Sequence, residues 1–230
     1  MKIIGTCGIN TGKTLSYLVA GIFLVWTVCL ESAEKADASG QAQAQKSALD
    51  RFSPEQRQKL LNGEAVYESK LTTGPDASTK GIGAANVIIN APIDQCFKMF
   101  LDFEKQTKYF PRITVCKILS SSGDRVRIYK EMDYGIMVFK YTHFLTIDPA
   151  EHRVDFVTDP KGANDIKFSQ GYFKFEKIDE RRTLFSYGMV KFDAGIKVPM
   201  FIQEYISSKD LREMALNLKK WIESRGKWEK

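Results

Sequence analysis

The chain has 230 residues, of which 43% are hydrophobic and 27% charged, the balance of a globular protein and too apolar for a disordered one. Its formal net charge of +6 would suit an anionic surface, but bases alternate with acids, as in Glu176-Lys177-Ile178-Asp179-Glu180-Arg181-Arg182. No basic stripe with interleaved aromatics and no nucleic-acid motif accompanies the charge, so nucleic acid is excluded as a partner, while peripheral contact with an anionic membrane stays open.

Taken in chain order, Lys2 and Lys13 precede an apolar run over residues 15–30, after which charge returns at Glu31, Glu34, Lys35 and Asp37. That is the layout of a secretory signal. About 16 residues make about 24 Å of helix, short of the roughly 30 Å hydrocarbon core. Residues 1–38 therefore read as a signal cleaved after the small pair Ala36 and Ala38, with an uncleaved N-terminal anchor as the alternative. Gly12-Lys13-Thr14 has the ending of a phosphate-binding loop, but Cys7 stands where the loop needs its first glycine. Residues 39–50, rich in Ala, Gln and Ser, read as a flexible linker. The rest, 51–230, is enough for one core, so a single exported domain, periplasmic or associated with the cell envelope, carries the function.

Ser53 as N-cap, Pro54 at the first helical position and Gly63 past the end delimit a short helix. Strands are expected near residues 65–71 and 84–90. Pro92 opens a second helix in which Ile93, Cys96, Phe97, Phe100, Leu101 and Phe103 recur at helical spacing, ending near Tyr109-Phe110-Pro111. From Ile113 to Phe192, β-branched and aromatic runs alternate with turn signals such as Ser122-Gly123-Asp124 and Asp159-Pro160-Lys161-Gly162, which implies an antiparallel meander. After Pro199, apolar positions from Phe201 to Ile222 predict an amphipathic helix of about 24 residues. Several strands carry bulky side chains at alternate positions: Phe139, Tyr141 and Leu145; Phe173 and Phe175; Phe185, Tyr187 and Met189. Beneath a bent sheet, such a face is filled by its own side chains or by a ligand.

Val87-Ile88-Ile89-Asn90-Ala91-Pro92 running into the second helix, Tyr109-Phe110-Pro111-Arg112-Ile113, Gly171-Tyr172-Phe173-Lys174-Phe175 and Thr183-Leu184-Phe185-Ser186-Tyr187 together resemble the START-like (helix-grip) superfamily, in its polyketide cyclase and coenzyme Q-binding branch. The resemblance implies an α+β fold: a curved antiparallel sheet of about six or seven strands wrapped around a long C-terminal helix. It also implies a cavity for lipids, quinones, sterols or polyaromatic molecules, entered past the loop after the first helix of the minimal domain.

On this reading the chain binds, and transfers, a hydrophobic ligand without a cofactor. The alternative is a cyclase or dehydratase acting on a polyketide-like substrate in the same cavity. Tyr141, His143, Phe173, Tyr187, Tyr205 and Met214 are the expected wall, and Phe103, Tyr109 and Phe110 the expected gate. His143, in register with Phe139, Tyr141 and Leu145, is the one candidate general base, with Tyr141 beside it. Glu131 and Asp133 share the opposite strand face, which reads as solvated, and His152 follows a turn. No spacing suits a metal. Cys96 and Cys116 read as buried thiols, with a bridge as the alternative.

Overall fold

The computed structural model describes residues 48–204 and 209–230. The signal, most of the linker and Tyr205 lie outside the described residues.

Helix α1 (Pro54–Leu61) begins as expected. The Ser53 hydroxyl accepts from the Gln56 amide at 3.2 Å, the Gln56 side chain accepts from the Ser53 amide at 3.0 Å, and Pro54 occupies the first turn. Such a cap is worth about 1 kcal/mol. Gly63, at φ +80°, supplies the left-handed residue after the helix.

Next come β1 (Val66–Thr73), β2 (Thr79–Ile89), α2 (Ile93–Phe100), a 3-10 turn (Phe103–Lys105) and the short α3 (Gln106–Tyr109). The meander comprises β3 (Ile113–Ser122), β4 (Arg125–Asp133), β5 (Val138–Asp148), β6 (Arg153–Thr158), β7 (Phe168–Asp179) and β8 (Arg182–Asp193). Helices α4 (Met200–Glu204) and α5 (Leu211–Glu223) follow.

The strands form one antiparallel sheet in the order β1-β2-β8-β7-β6-β5-β4-β3. It has eight strands where six or seven were expected, because the first two strand signals form a hairpin that extends the meander. Register places Val87, Phe185, Phe175, Val154, Leu145 and Ile128 on one face, and that face packs with α2 and α5 into the main core. Alternate residues Ile88, Leu184 and Ile178 turn the other way and meet Leu60 of α1 in a smaller cluster.

Ala48 belongs to this smaller cluster and Leu49 packs against it, while residues 48–50 are helical and Arg51 hydrogen-bonds Glu176 and Ser186 at 2.6 and 2.8 Å. The end of the stretch read as linker is thus anchored to the domain by two apolar side chains that its polar composition obscured.

The second helix is shorter than its apolar periodicity suggested: it breaks at Asp102, whose ψ of 73° is not helical, before the 3-10 turn resumes it. Of the C-terminal helix, expected at about 24 residues, α4 and the 13-residue α5 are described, with a π turn at Lys209-Asp210 leading into α5. Leu218 and Ile222 are fully buried on its inner face, so truncating either to alanine should cost about 2–5 kcal/mol.

Candidate functional site

Between the concave face of the sheet and α5 lies a cavity of about 180 Å³. Every strand contributes to its lining, from Ser69 on β1 to Ile113 on β3, and α5 closes it with Leu211 and Met214. Ile82, 54% exposed on β2, marks where the lining meets solvent.

The wall has an aromatic row that runs across the strands. Tyr141 and His143 lie 4.9 Å apart on β5, His143 stacks on Phe156 of β6 at 5.1 Å, Phe156 meets Phe173 of β7 at 5.4 Å, and Phe173 meets Tyr187 of β8 at 5.3 Å. The row is continuous because each ring occupies the same face of its strand, at positions two apart or cross-strand neighbours. Gly171, opposite Phe156, leaves the room for that ring; a Cβ there would collide with it and with the Gly188 carbonyl.

Of the wall residues expected from sequence, Tyr141, His143, Phe173, Tyr187 and Met214 all line the cavity. Of the expected gate, Phe110 lines it, whereas Phe103 and Tyr109 are core. Phe103 packs edge-on against Phe100 and its carbonyl accepts from the Cys116 thiol at 3.0 Å; Tyr109 is fully buried and stacks on Trp221 at 5.5 Å. Neither is among the lining residues, because Phe103 is taken up by Phe100 and Cys116 and Tyr109 by Trp221 of α5.

The polar groups of the wall are few and partnered in distinct ways. His143 Nε2 lies 2.7 Å from Ser169 Oγ, and Ser169 Oγ lies 3.0 Å from Thr158 Oγ1. The Thr158 hydroxyl donates to the Ser169 carbonyl at 3.2 Å and accepts from the Ser169 amide at 2.7 Å. Burial, aided by the charge of Lys130, holds the imidazole well below the usual histidine range, so His143 is neutral at pH 7. Burial likewise raises the phenols of Tyr141 and Tyr187 above the usual tyrosine range, keeping them as donors. The Tyr134 hydroxyl donates to Asp210 at 2.7 Å, and Asp210 also faces Arg112 at 3.6 Å; this cluster ties the β4–β5 turn to the start of α5. Arg112 holds a left-handed φ of 61° in the turn between α3 and β3.

Sequence reasoning missed Lys130, Ser169 and Phe156. Lys130 continues the alternation Val126, Ile128, Lys130 on β4 and is 5% exposed; a charge extending an apolar face was the available signal. Glu131 and Asp133 face away, accepting from the Tyr129 hydroxyl and the Gly135 amide, each at 2.6 Å. His152, at φ 45°, sits in the β5–β6 turn against Phe97, 3.2 Å from Asp94. Cys96 and Cys116 are both buried as free thiols. Among the described residues, no group of three or more His, Cys, Asp or Glu is placed to hold a metal, and no helix is long and apolar enough to cross a membrane.

A curved antiparallel sheet closing on a C-terminal helix over an internal cavity is the START-like helix-grip fold, and this chain has it. Solved structures with the same fold include an aromatase/cyclase from a Streptomyces species, at 16% identity and TM-score 0.54, covering 64% of this chain and 95% of that one. A START superfamily protein from Mycobacterium smegmatis is similar at 16% identity and TM-score 0.53, covering 63% and 98%. Human StAR-related lipid transfer protein 5 is similar at 10% identity and TM-score 0.51, covering 81% and 98%. No family model matches the sequence, and no curated protein matches it.

Proposed function

We propose that the domain binds a largely apolar small molecule in this cavity and carries it, without covalent chemistry, in the cell envelope. The observation that carries the reading is the aromatic-walled void itself. Cavities of about 150 Å³ lined by apolar side chains stay dry and accept a ligand the size of benzene, and this one, of about 180 Å³, continues to the surface at Ile82. Covering about 200 Å² of apolar ligand surface would contribute about 5 kcal/mol before the cost of immobilisation. The solved structures that share the fold include a protein named for lipid transfer and one named as an aromatase/cyclase; both names imply a hydrophobic occupant.

Export to the envelope is part of the same proposal and rests on the arrangement of charge and apolar residues over 1–38. Peripheral contact of the carrier with an anionic membrane, to collect or deliver its cargo, belongs to this reading and draws on the net charge of +6.

The test is native mass spectrometry of protein purified from its own host, followed by extraction of what is bound, together with titration of a lipophilic fluorescent probe. A stoichiometric apolar occupant, displaced by the probe, is expected. Protein that carries no small molecule and takes up no probe would overturn the reading.

A second reading is favoured by one observation, the neutral imidazole of His143 held 2.7 Å from the Ser169 hydroxyl inside the cavity. In an enzyme of the cyclase or dehydratase type, this imidazole would accept a proton from a carbon acid, with Tyr141 polarising the carbonyl. The carrier tolerates His143→Gln in binding; the enzyme loses turnover while still binding substrate.

A further inference from the structure

Lys130 is a lysine with 5% exposure whose side chain points into the cavity wall, and among the described residues no carboxylate lies within ion-pairing distance of its ammonium. Its neighbours include the Phe110 ring, whose centre is 5.8 Å from Nζ, and its register partners Cys116 on β3 and Tyr141 on β5. An ammonium buried without a counter-ion is expensive, far more than a methionine of similar length in the same place.

The groups around Lys130 share one property. The neutral phenol of Tyr141 is a donor, and His143, two residues along β5, presents an imidazole beside it. Burial lowers the ammonium of Lys130 below the usual lysine range and raises the thiol of Cys116, so nothing anionic faces Lys130 from β3 or β5. The charged cluster elsewhere on the wall pairs Asp210 with the Tyr134 hydroxyl at 2.7 Å and with Arg112 at 3.6 Å, so that carboxylate already has its own cation. One part of the cavity wall therefore holds a buried cation beside a phenol donor, with no anion among the described residues facing them.

We infer that the ligand is an apolar carboxylic acid whose carboxylate pairs with Lys130 and accepts from Tyr141, while its hydrocarbon or aromatic body lies along the row of Phe156, Phe173 and Tyr187. The inference rests on the cavity being a ligand site and adds the chemical class of the occupant. A carboxylate there converts an uncompensated charge into a charge-assisted pair in a site of low dielectric.

The experiment uses the full chain and three probes that share one aromatic body and differ by at most two non-hydrogen atoms: 2-naphthoic acid, its methyl ester and 2-naphthylmethanol. Calorimetric titration at pH 7.5 should show the acid binding about 10- to 100-fold more tightly than either neutral compound. The ester should compete with the acid for a single site. In Lys130→Met the three affinities should converge, through loss of the acid's advantage and not of the neutral compounds' binding. Lys130→Gln serves as a second variant, and the Tm of each, expected at or above the wild type, reports folding. In the wild type the acid should also raise Tm more than the ester at equal concentration, a readout that needs no variant. If the neutral probes bind and the acid binds no better, or if the acid keeps its advantage in both variants, the assignment of an acid is overturned while the apolar-ligand reading stands. If none of the three binds, both fall.

Discussion

Met214 and Leu218 lie one turn apart on α5, yet Met214 lines the cavity whereas Leu218 is fully buried in packed core. Substituting tryptophan at each position separates open space from packing. At Met214 the indole enters a void of about 180 Å³; filling about 60 Å³ of it is worth about 1.4 kcal/mol at about 24 cal/mol per Å³. For a domain of this size that is a rise in Tm of about 3–5 °C. At Leu218 the same side chain has nowhere to go, and overpacking should cost about 1–3 kcal/mol, a fall of similar size or larger. Thermal unfolding followed by circular dichroism measures both, and titration of a lipophilic fluorophore shows whether Met214→Trp also abolishes binding. The reasoning is refuted if Met214→Trp lowers Tm as Leu218→Trp does, or if it leaves the fluorophore's affinity unchanged, since either result means that position 214 does not face open space.

The free thiols provide a second check: burial pushes Cys96 up to about 12 and raises Cys116, so neither should react with a thiol reagent at pH 8 until the protein is unfolded in denaturant, and rapid labelling of the native protein would contradict their placement. His143 gives a pH dependence. Its pKa is depressed in the fold, so below about pH 6.5 the unfolded chain binds the proton that the native state refuses, and stability should fall with pH by up to about 1.4 kcal/mol per unit; His143→Gln should flatten that slope between about pH 5 and 6.5, and parallel denaturation curves for the two proteins would exclude a buried neutral imidazole. Removal of residues 1–46 should leave a domain that unfolds cooperatively, because Ala48 and Leu49 keep their contacts with Leu60 and Ile88; removal through residue 50 should lower Tm further, and equal Tm values would show that residues 48–50 add nothing. N-terminal sequencing of the exported protein should begin just after Ala38, and recovery of Met1 would point to an anchor.

Much of the fold is written locally in this chain. Ser53, Pro54 and Gly63 bracket α1 through chemistry that acts within a few residues, and period-two alternation in β5, β7 and β8 assigns Tyr141, His143, Phe173 and Tyr187 to one face whatever the sheet does next. Four of the expected wall residues followed from that alternation alone, and Met214 from helical periodicity. What periodicity does not contain is which side of an apolar segment meets a neighbour and which meets a void. Phe103 and Tyr109 carry the same apolar signal as Phe110, and only their packing against Phe100 and Trp221 decides that two of the three are core. Ser169 lies 26 residues from His143, and its hydrogen bond to the imidazole exists only because β6 brings β5 and β7 to either side of Thr158. The alternation of β4 places Lys130 on the apolar face, but that it stands there without a counter-ion is decided by Cys116 and Tyr141, which the sheet pairs on its two flanks. The elements and their apolar faces are legible along the chain because they depend on near neighbours; the cavity and the buried cation on its wall appear only in the folded domain, because they depend on the curvature of eight strands against the C-terminal helix.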